Sequence, residues 1–257
     1  MMSQEDRLTQ ITEIVRAKRR VSHEDLASAT FSSISTLRRD LIALEKKGIV
    51  KRLRGEVIIN NYNTLEQPHL LRQDEHCKEK KIIAELARDF IGPGMCLYLD
   101  SSTTVCELCP YLADIEHLIV ITNGINTAHL LSQYANPTLQ IFITSGEVQH
   151  QSPSIINIDL ESSLINHFNI DLAICSARGV DTEGVYEASL GQAYSKKRIL
   201  GKAKDTILLI DHSKFYKNSF FKINDLHHYK AVISDQKPPK EIAIQIENAG
   251  VEWVHPE

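Results

Sequence analysis

No run of apolar residues in this 257-residue chain is long enough to cross a membrane as a helix, and its amino terminus is too polar for a secretory signal. A cytosolic protein without membrane partners is expected. Cysteine is scarce too: Cys77, Cys96, Cys106, Cys109 and Cys175 are odd in number and scattered, which argues against a disulfide framework. Cys106 and Cys109 form a CxxC, but neither a second CxxC nor a His pair at zinc-finger spacing accompanies it. A buried or half-buried structural role is expected there, with no metal and no cofactor. His227 and His228 read as surface residues near a turn. Repeats and low-complexity segments are missing, and no acid and base stand at a telling spacing, so no catalytic residue is nominated.

What the chain does have is length and apolar content for more than one small domain, at 42% hydrophobic. Its charge is unevenly spread. Residues 1–60 carry twelve Lys or Arg against eight Asp or Glu, about +4, while the remainder carries 17 against 25, about −8. A basic small domain joined to a larger acidic one fits a DNA reader coupled to a partner domain that does not itself cling to DNA.

The basic domain, residues 1–60, has the pattern of a winged helix-turn-helix. Ile34, Leu37, Leu41 and Leu44 follow helical spacing and predict one buried stripe, with Ser35 and Arg39 projecting opposite it and Arg38 beside them. Ser33 fits an N-cap, Lys46 and Lys47 suit the carboxyl end of the dipole, and Gly48 suits a left-handed cap. Upstream, Leu8, Ile11, Ile14 and Val15 mark another amphipathic helix ending in the basic run Lys18-Arg19-Arg20. Ser22 and Asp25 fit the start of a short second helix that turns Leu26 and Ala29 inward. Ile49 to Arg54, a turn at Gly55 and Val57 to Ile59 complete a wing. Taken alone, Arg38 and Arg39 read sooner as a solvated charged face than as DNA contacts, with Asp40 free to pair one of them. The whole pattern favours DNA: Ser33, Ser35, Thr36, Arg38 and Arg39 on the helix, and Lys51, Arg52 and Arg54 on the wing, are the expected contacts with double-stranded operator DNA.

Residues 61–76 read as a linker, with local helix near Leu70. In residues 77–257, an amphipathic helix over Cys77 to Phe90 ends at Gly92-Pro93-Gly94. Apolar runs then follow at Met95–Leu99, Leu118–Ile121, Leu139–Ile143, Leu172–Cys175, Thr206–Ile210, Ala231–Ile233 and Val251–Val254. Alternating with helical stretches, they predict an α/β domain on a mainly parallel sheet covered on both faces. Small, hydroxylated or charged residues follow five of the strands: Asp100-Ser101-Ser102-Thr103-Thr104, Thr122-Asn123-Gly124, Thr144-Ser145-Gly146, Ser176-Ala177-Arg178-Gly179 and Asp211-His212-Ser213-Lys214. In open parallel sheets ligands bind at this edge. Hydroxyls and amides there can hold phosphate oxygens, Lys214 or Lys196 can add positive charge, and Asp100, Asn123 or Asp211 can bond sugar hydroxyls. A phosphorylated sugar is the ligand this chemistry suits. Singly, each residue has a structural alternative as a cap or turn former.

The chain resembles the DeoR family of bacterial transcriptional regulators over nearly its full length. The resemblance lies in Thr36-Leu37-Arg38-Arg39-Asp40-Leu41, Leu44-Glu45, Gly48 and Arg52-Leu53-Arg54-Gly55. It continues in Asp100-Ser101-Ser102-Thr103-Thr104, Thr122-Asn123, Gly179 with Gly184, and Asp211-His212-Ser213-Lys214-Phe215. It implies a winged-helix operator reader joined to a sensor resembling the ribose-phosphate isomerase and glucosamine-phosphate deaminase folds. It also implies repression of a catabolic operon, release by a phosphorylated sugar, and a homo-oligomer. The chain departs from the family pattern in four places. Arg54-Gly55-Glu56-Val57 replaces His-Gly-Gly-Ala in the wing; Phe31 and Ser32 stand where Gly and an aliphatic residue are usual, and Phe31 is expected to pack rather than turn. Ser102 replaces a glycine, and Gln192 a glutamate. The rival reading is a sugar-phosphate isomerase or deaminase with an appended DNA-binding domain, Asp100 or Asp211 serving as base. A third is a protein-interaction module.

Overall fold

A computed structural model describes residues 4–18, 20–46, 49–59, 69–149, 152–156, 164–217 and 219–257. The chain divides into two compact units, residues 1–68 and 69–257. Lys47, Gly48 and the part of the expected linker up to residue 68 lie outside the described residues, as does Arg19.

The first unit runs α1 (Gln4–Lys18), β1 (Arg20–Ser22), α2 (His23–Ala29), α3 (Ile34–Lys46), β2 (Val50–Leu53) and β3 (Glu56–Ile59). Arg20 therefore opens a strand instead of ending a helix; β1 pairs with β3 and β3 with β2, all antiparallel. Ser22 caps α2, its hydroxyl accepting the Asp25 amide at 3.0 Å, a cap worth about 1 kcal/mol. Ile11, Val15, Leu26, Leu37, Leu41, Leu44, Val50 and Val57 form the core. Two sequence expectations fail here for one reason. The arc of α3 that packs inward includes Asp40, 1% exposed, which pairs with Arg7 of α1 at 2.8 Å rather than with Arg38 or Arg39. With the buried arc centred between Asp40 and Leu41, Ile34 falls at its edge in the first turn and is 54% exposed.

The second unit begins with α4 (His69–Asp74), inside the stretch read as linker, and α5 (Cys77–Ala87). Then come β4 (Cys96–Leu99), α6 (Thr103–Cys106), α7 (Cys109–Leu112), β5 (Ile119–Thr122), α8 (Ile125–Ser132), β6 (Gln140–Ile143), β7 (Glu147–Val148) and β8 (Ile155–Ile156). The chain continues through β9 (Leu172–Ser176), β10 (Gly179–Asp181), β11 (Gly184–Glu187), α9 (Leu190–Leu200), β12 (Asp205–Leu209), β13 (Phe221–Asn224), β14 (Ala231–Ile233), α10 (Lys240–Ala249) and β15 (Glu252–Val254). Seven strands form one sheet in the order β15-β14-β12-β9-β4-β5-β6, every pair parallel. Successive strand residues feed opposite faces. Leu97, Leu99, Ile207 and Leu209 pack with α5, α6 and α7 on one side, whereas Tyr98 and Leu208 enter clusters on the other. That two-sided burial is why these strands read as continuous apolar runs. A small antiparallel sheet, β10-β11-β13, had no counterpart in the sequence reading.

Strand order reverses between β9 and β4: from β4 the chain builds outward through β5 and β6, and from β9 the other way through β12, β14 and β15. The carboxyl ends of β4 and β9 thus flank the crevice where open α/β sheets bind ligands.

Candidate functional site

On the first unit, the polar candidates gather on α3 and the β2–β3 hairpin. The Ser33 hydroxyl accepts the Thr36 amide at 3.2 Å and bonds the Ser35 and Thr36 hydroxyls at 2.9 Å. Arg38 and Arg39 are exposed, and Arg39 Nε donates to the Ser35 carbonyl at 3.4 Å. Lys51 and Arg54 are exposed on the hairpin, whose turn has Gly55 at φ +77°, a left-handed conformation that glycine adopts readily. Arg52 is placed otherwise. Its Nε pairs with Glu45 Oε2 at 2.7 Å and its amide bonds Oε1 at 2.9 Å, so it clamps the wing to α3. Phe31 also departs from expectation: it turns, at φ +49°, and is 94% exposed instead of packing.

On the second unit, Asp100 sits at the end of β4 and staples the switch point. Its Oδ1 accepts the Ser102 amide at 2.9 Å and its Oδ2 the Ser176 amide, at the end of β9, at 2.8 Å. Lys196 of α9 reaches the same Oδ2 at 3.1 Å, donates to the Ser176 carbonyl at 2.6 Å and pairs with Glu187. All three side chains are buried. Burial works against the Lys196 charge, but Glu187 and Asp100 outweigh it and raise its pKa. Asp100 and Lys196 are therefore a structural hub beneath the crevice, and Glu187, with no motif to mark it, completes it. Gln192 bonds the Ser154 hydroxyl at 2.9 Å.

The hydroxyl residues are partly committed to backbone. Ser102 Oγ caps α6 through the Val105 amide at 3.2 Å, and Thr122 Oγ1 accepts the Gly124 amide at 2.9 Å. Thr103 and Thr104 are buried; Ser101 and Ser102 are half-buried at the crevice. Asn123 donates to the Ile155 carbonyl at 3.3 Å, and its buried Oδ1 finds no partner among the described residues. Ser145 and Gly146 lie exposed beyond the edge strand β6, and no bond among the described residues ties them to the Asp100 group. Gly179 does not offer open space either. A Cβ there would stand 1.6 Å from the Lys217 carbonyl, so this glycine lets two loops close on each other.

That closure gathers positive charge. The loop after β12 is tied down by the Tyr216 amide to the Val180 carbonyl at 2.7 Å, and by His212 to Asp235 at 2.6 Å. Lys214 and Lys217 on it thereby come near Arg178, which follows β9, and each is disfavoured electrostatically by that neighbour. From the other side, the Lys80 ammonium donates to the Arg72 carbonyl, which also lies 3.5 Å from the Thr103 hydroxyl. Burial lowers the pKa of Lys214, with Arg178 and Arg72 adding to it against Asp211; burial and then Lys214 lower that of Lys80. Desolvation, then Lys214 and Arg178, bring Lys217 down to about 8. Asp211 is the buried carboxylate amid these charges. Its Oδ1 accepts the Ser213 amide at 2.9 Å, and its Oδ2 has Lys214 Nζ at 3.9 Å but no hydrogen-bond partner among the described residues. Burial opposes its ionisation, yet Lys214 and the Ser213 hydrogen bond hold its pKa below the usual carboxylate value. Of these cations the sequence singled out Arg178 and Lys214. Arg72, Lys80 and Lys217 carry no motif, and Arg72 stood in the supposed linker.

Residues 75–236 match the DeoR C terminal sensor domain, and residues 7–63 match the DeoR-like helix-turn-helix domain. The chain belongs to the DeoR family. As a DeoR-family protein it is a DNA-binding transcriptional regulator. Among its relatives, it is 28% identical over 251 residues to the HTH-type transcriptional repressor GlcR of Bacillus subtilis, covering 98% of this chain and 96% of that one. It is 29% identical over 235 residues to the lactose phosphotransferase system repressor of Streptococcus mutans, covering 91% and 93%. A looser likeness connects it to a ribose-5-phosphate isomerase structure in complex with phospho-erythronic acid, with a TM-score of 0.39 and 21% identity over 53% of this chain and 52% of that one. No helix among the described residues is long and apolar enough to cross a membrane.

Proposed function

We propose that this DeoR-family regulator represses a carbohydrate catabolic operon and leaves its operator when a phosphorylated sugar occupies the crevice at the carboxyl edge of the seven-stranded sheet. The observation that carries the reading is the cation cluster around Asp211. Mutually repelling ammonium and guanidinium groups held together by a fold are stabilised when an anion neutralises them. In this reading Lys214, Arg178 and Lys217 hold the phosphoryl oxygens, with Lys80 and Arg72 behind them. The unpartnered Oδ2 of Asp211 and the hydroxyls of Ser101 and Ser102 take sugar hydroxyls. Asp100 and Lys196 act indirectly, by fixing the loops after β4 and β9.

The same geometry counts against Asp100 as the base of an isomerase or deaminase, and leaves Asp211, whose Oδ2 has no hydrogen-bond partner among the described residues, to be decided by experiment. A general base needs a lone pair aimed at the proton it removes. Both Asp100 oxygens are already engaged by backbone amides, and one of them by Lys196 as well. The test is a thermal-shift and recovery assay with hexose 6-phosphates, pentose 5-phosphates and glycerol 3-phosphate. At least one of them should raise the midpoint by several degrees at saturation and be recovered unchanged, and Lys214→Ala should lose the shift. Conversion of the bound sugar would restore the enzyme reading, and no shift with any of them would remove the sensor reading.

A further inference from the structure

The start of α3 carries two apolar side chains that its own unit does not use. Phe31 and Ile34 are 94% and 54% exposed, while Leu37, Leu41 and Leu44 of the same helix are buried. Phe31 is moreover held in the left-handed region between two bonds that close α2, from Thr30 to the Leu26 carbonyl and from Ser32 to the Ala27 carbonyl, each 3.0 Å. Neither residue is there for the core.

Their neighbours say what covers them. Ile34 opens the helix, and at roughly 100° per residue it shares a flank with Arg38, one turn on. Ser35, Arg38 and Arg39 are exposed around it on the basic unit. The amino-terminal residues of a reading helix are those that meet base edges in the major groove. There only thymine offers an apolar group, its 5-methyl; the other edges are hydrogen-bond donors and acceptors. An exposed isoleucine among cations gains nothing from phosphate and gains from a methyl.

We infer that Ile34 reads the 5-methyl group of a thymine in the operator, with Phe31 shielding that contact from water, and so fixes sequence preference at that base pair. This rests on α3 being the DNA-reading helix. The probe is a duplex selected by the wild-type chain from a randomised pool, then remade with single thymines replaced by deoxyuridine, which removes the methyl alone. At one or two positions the wild type should bind about four-fold more weakly, as fits one buried methyl-sized group. Ile34→Ala, with an unchanged melting curve, should bind thymine and uracil duplexes equally at those positions. Indifference of the wild type to every uracil, or discrimination retained by Ile34→Ala, overturns the inference. So does a changed oligomeric state of Ile34→Ala in sedimentation with thymine discrimination intact, which would make the patch a protein interface. A pool with no enriched sequence would instead strike the reading of α3 itself, and the inference with it.

Discussion

Lys196 shows how a residue can matter to a site without facing it. Its ammonium lies between Asp100 and Glu187 in a region closed to water, so removing it leaves two buried carboxylates without compensation. Breaking a buried ion pair from one side typically destabilises by about 3–5 kcal/mol. Lys196→Met is expected to fall in that range in urea unfolding. A loss under about 1 kcal/mol would show that the pair is not held as described. Lys217 makes a pH prediction. Its pKa is about 8 in the folded chain against 10.5 ordinarily. Between those values the unfolded chain keeps a proton that the folded chain has released, so this group adds stability as pH rises through that window. Anion binding runs the other way, because the cation is lost above about pH 8. Sulfate, whose own charge does not change there, should stabilise the protein over chloride at matched ionic strength more at pH 7 than at pH 9.5. Equal stabilisation at both would exclude Lys217 from the anion site.

At the scale of elements, long apolar runs and helical stripes were legible because burial imposes their period. All seven runs became strands of the parallel sheet, within a residue or two at either end. The misses share a physical form. Strands β1 and β10 have three residues each, too few for a period, and the burial of Asp40 depends on Arg7, 33 positions away in sequence. Lys80 carries no motif, and its partner, the Arg72 carbonyl, lies in the stretch read as a linker. Such partners exist only once the chain is folded, which is why three of the five cations escaped the sequence while Arg178 and Lys214, in loops it marked, did not. The turn before α3 allows a direct test. A non-glycine residue in the left-handed region costs about 1 kcal/mol or more, and Phe31 makes no core contact to offset it. Phe31→Gly should therefore leave stability unchanged or raise it by up to about 1 kcal/mol, the gain being tempered by glycine's greater freedom when unfolded. A marked loss in chemical denaturation would mean that the phenyl ring packs after all.

At the scale of the molecule, the two units divide charge: a basic one carrying α3 and an acidic one in which five cations gather around Asp211. Coupling them requires only that the effector bind the DNA-released state more tightly than the DNA-bound one. A hundred-fold loss of operator affinity corresponds to about 2.7 kcal/mol of such difference. Fluorescence anisotropy of a selected duplex at fixed salt, titrated with the sugar phosphate that stabilises the protein, measures this directly. The wild type should lose at least ten-fold in DNA affinity when saturated, whereas Lys214→Ala should bind the duplex as the wild type does and fail to release it. Unchanged wild-type affinity at saturation, or equal release of the Lys214→Ala variant, would contradict the account.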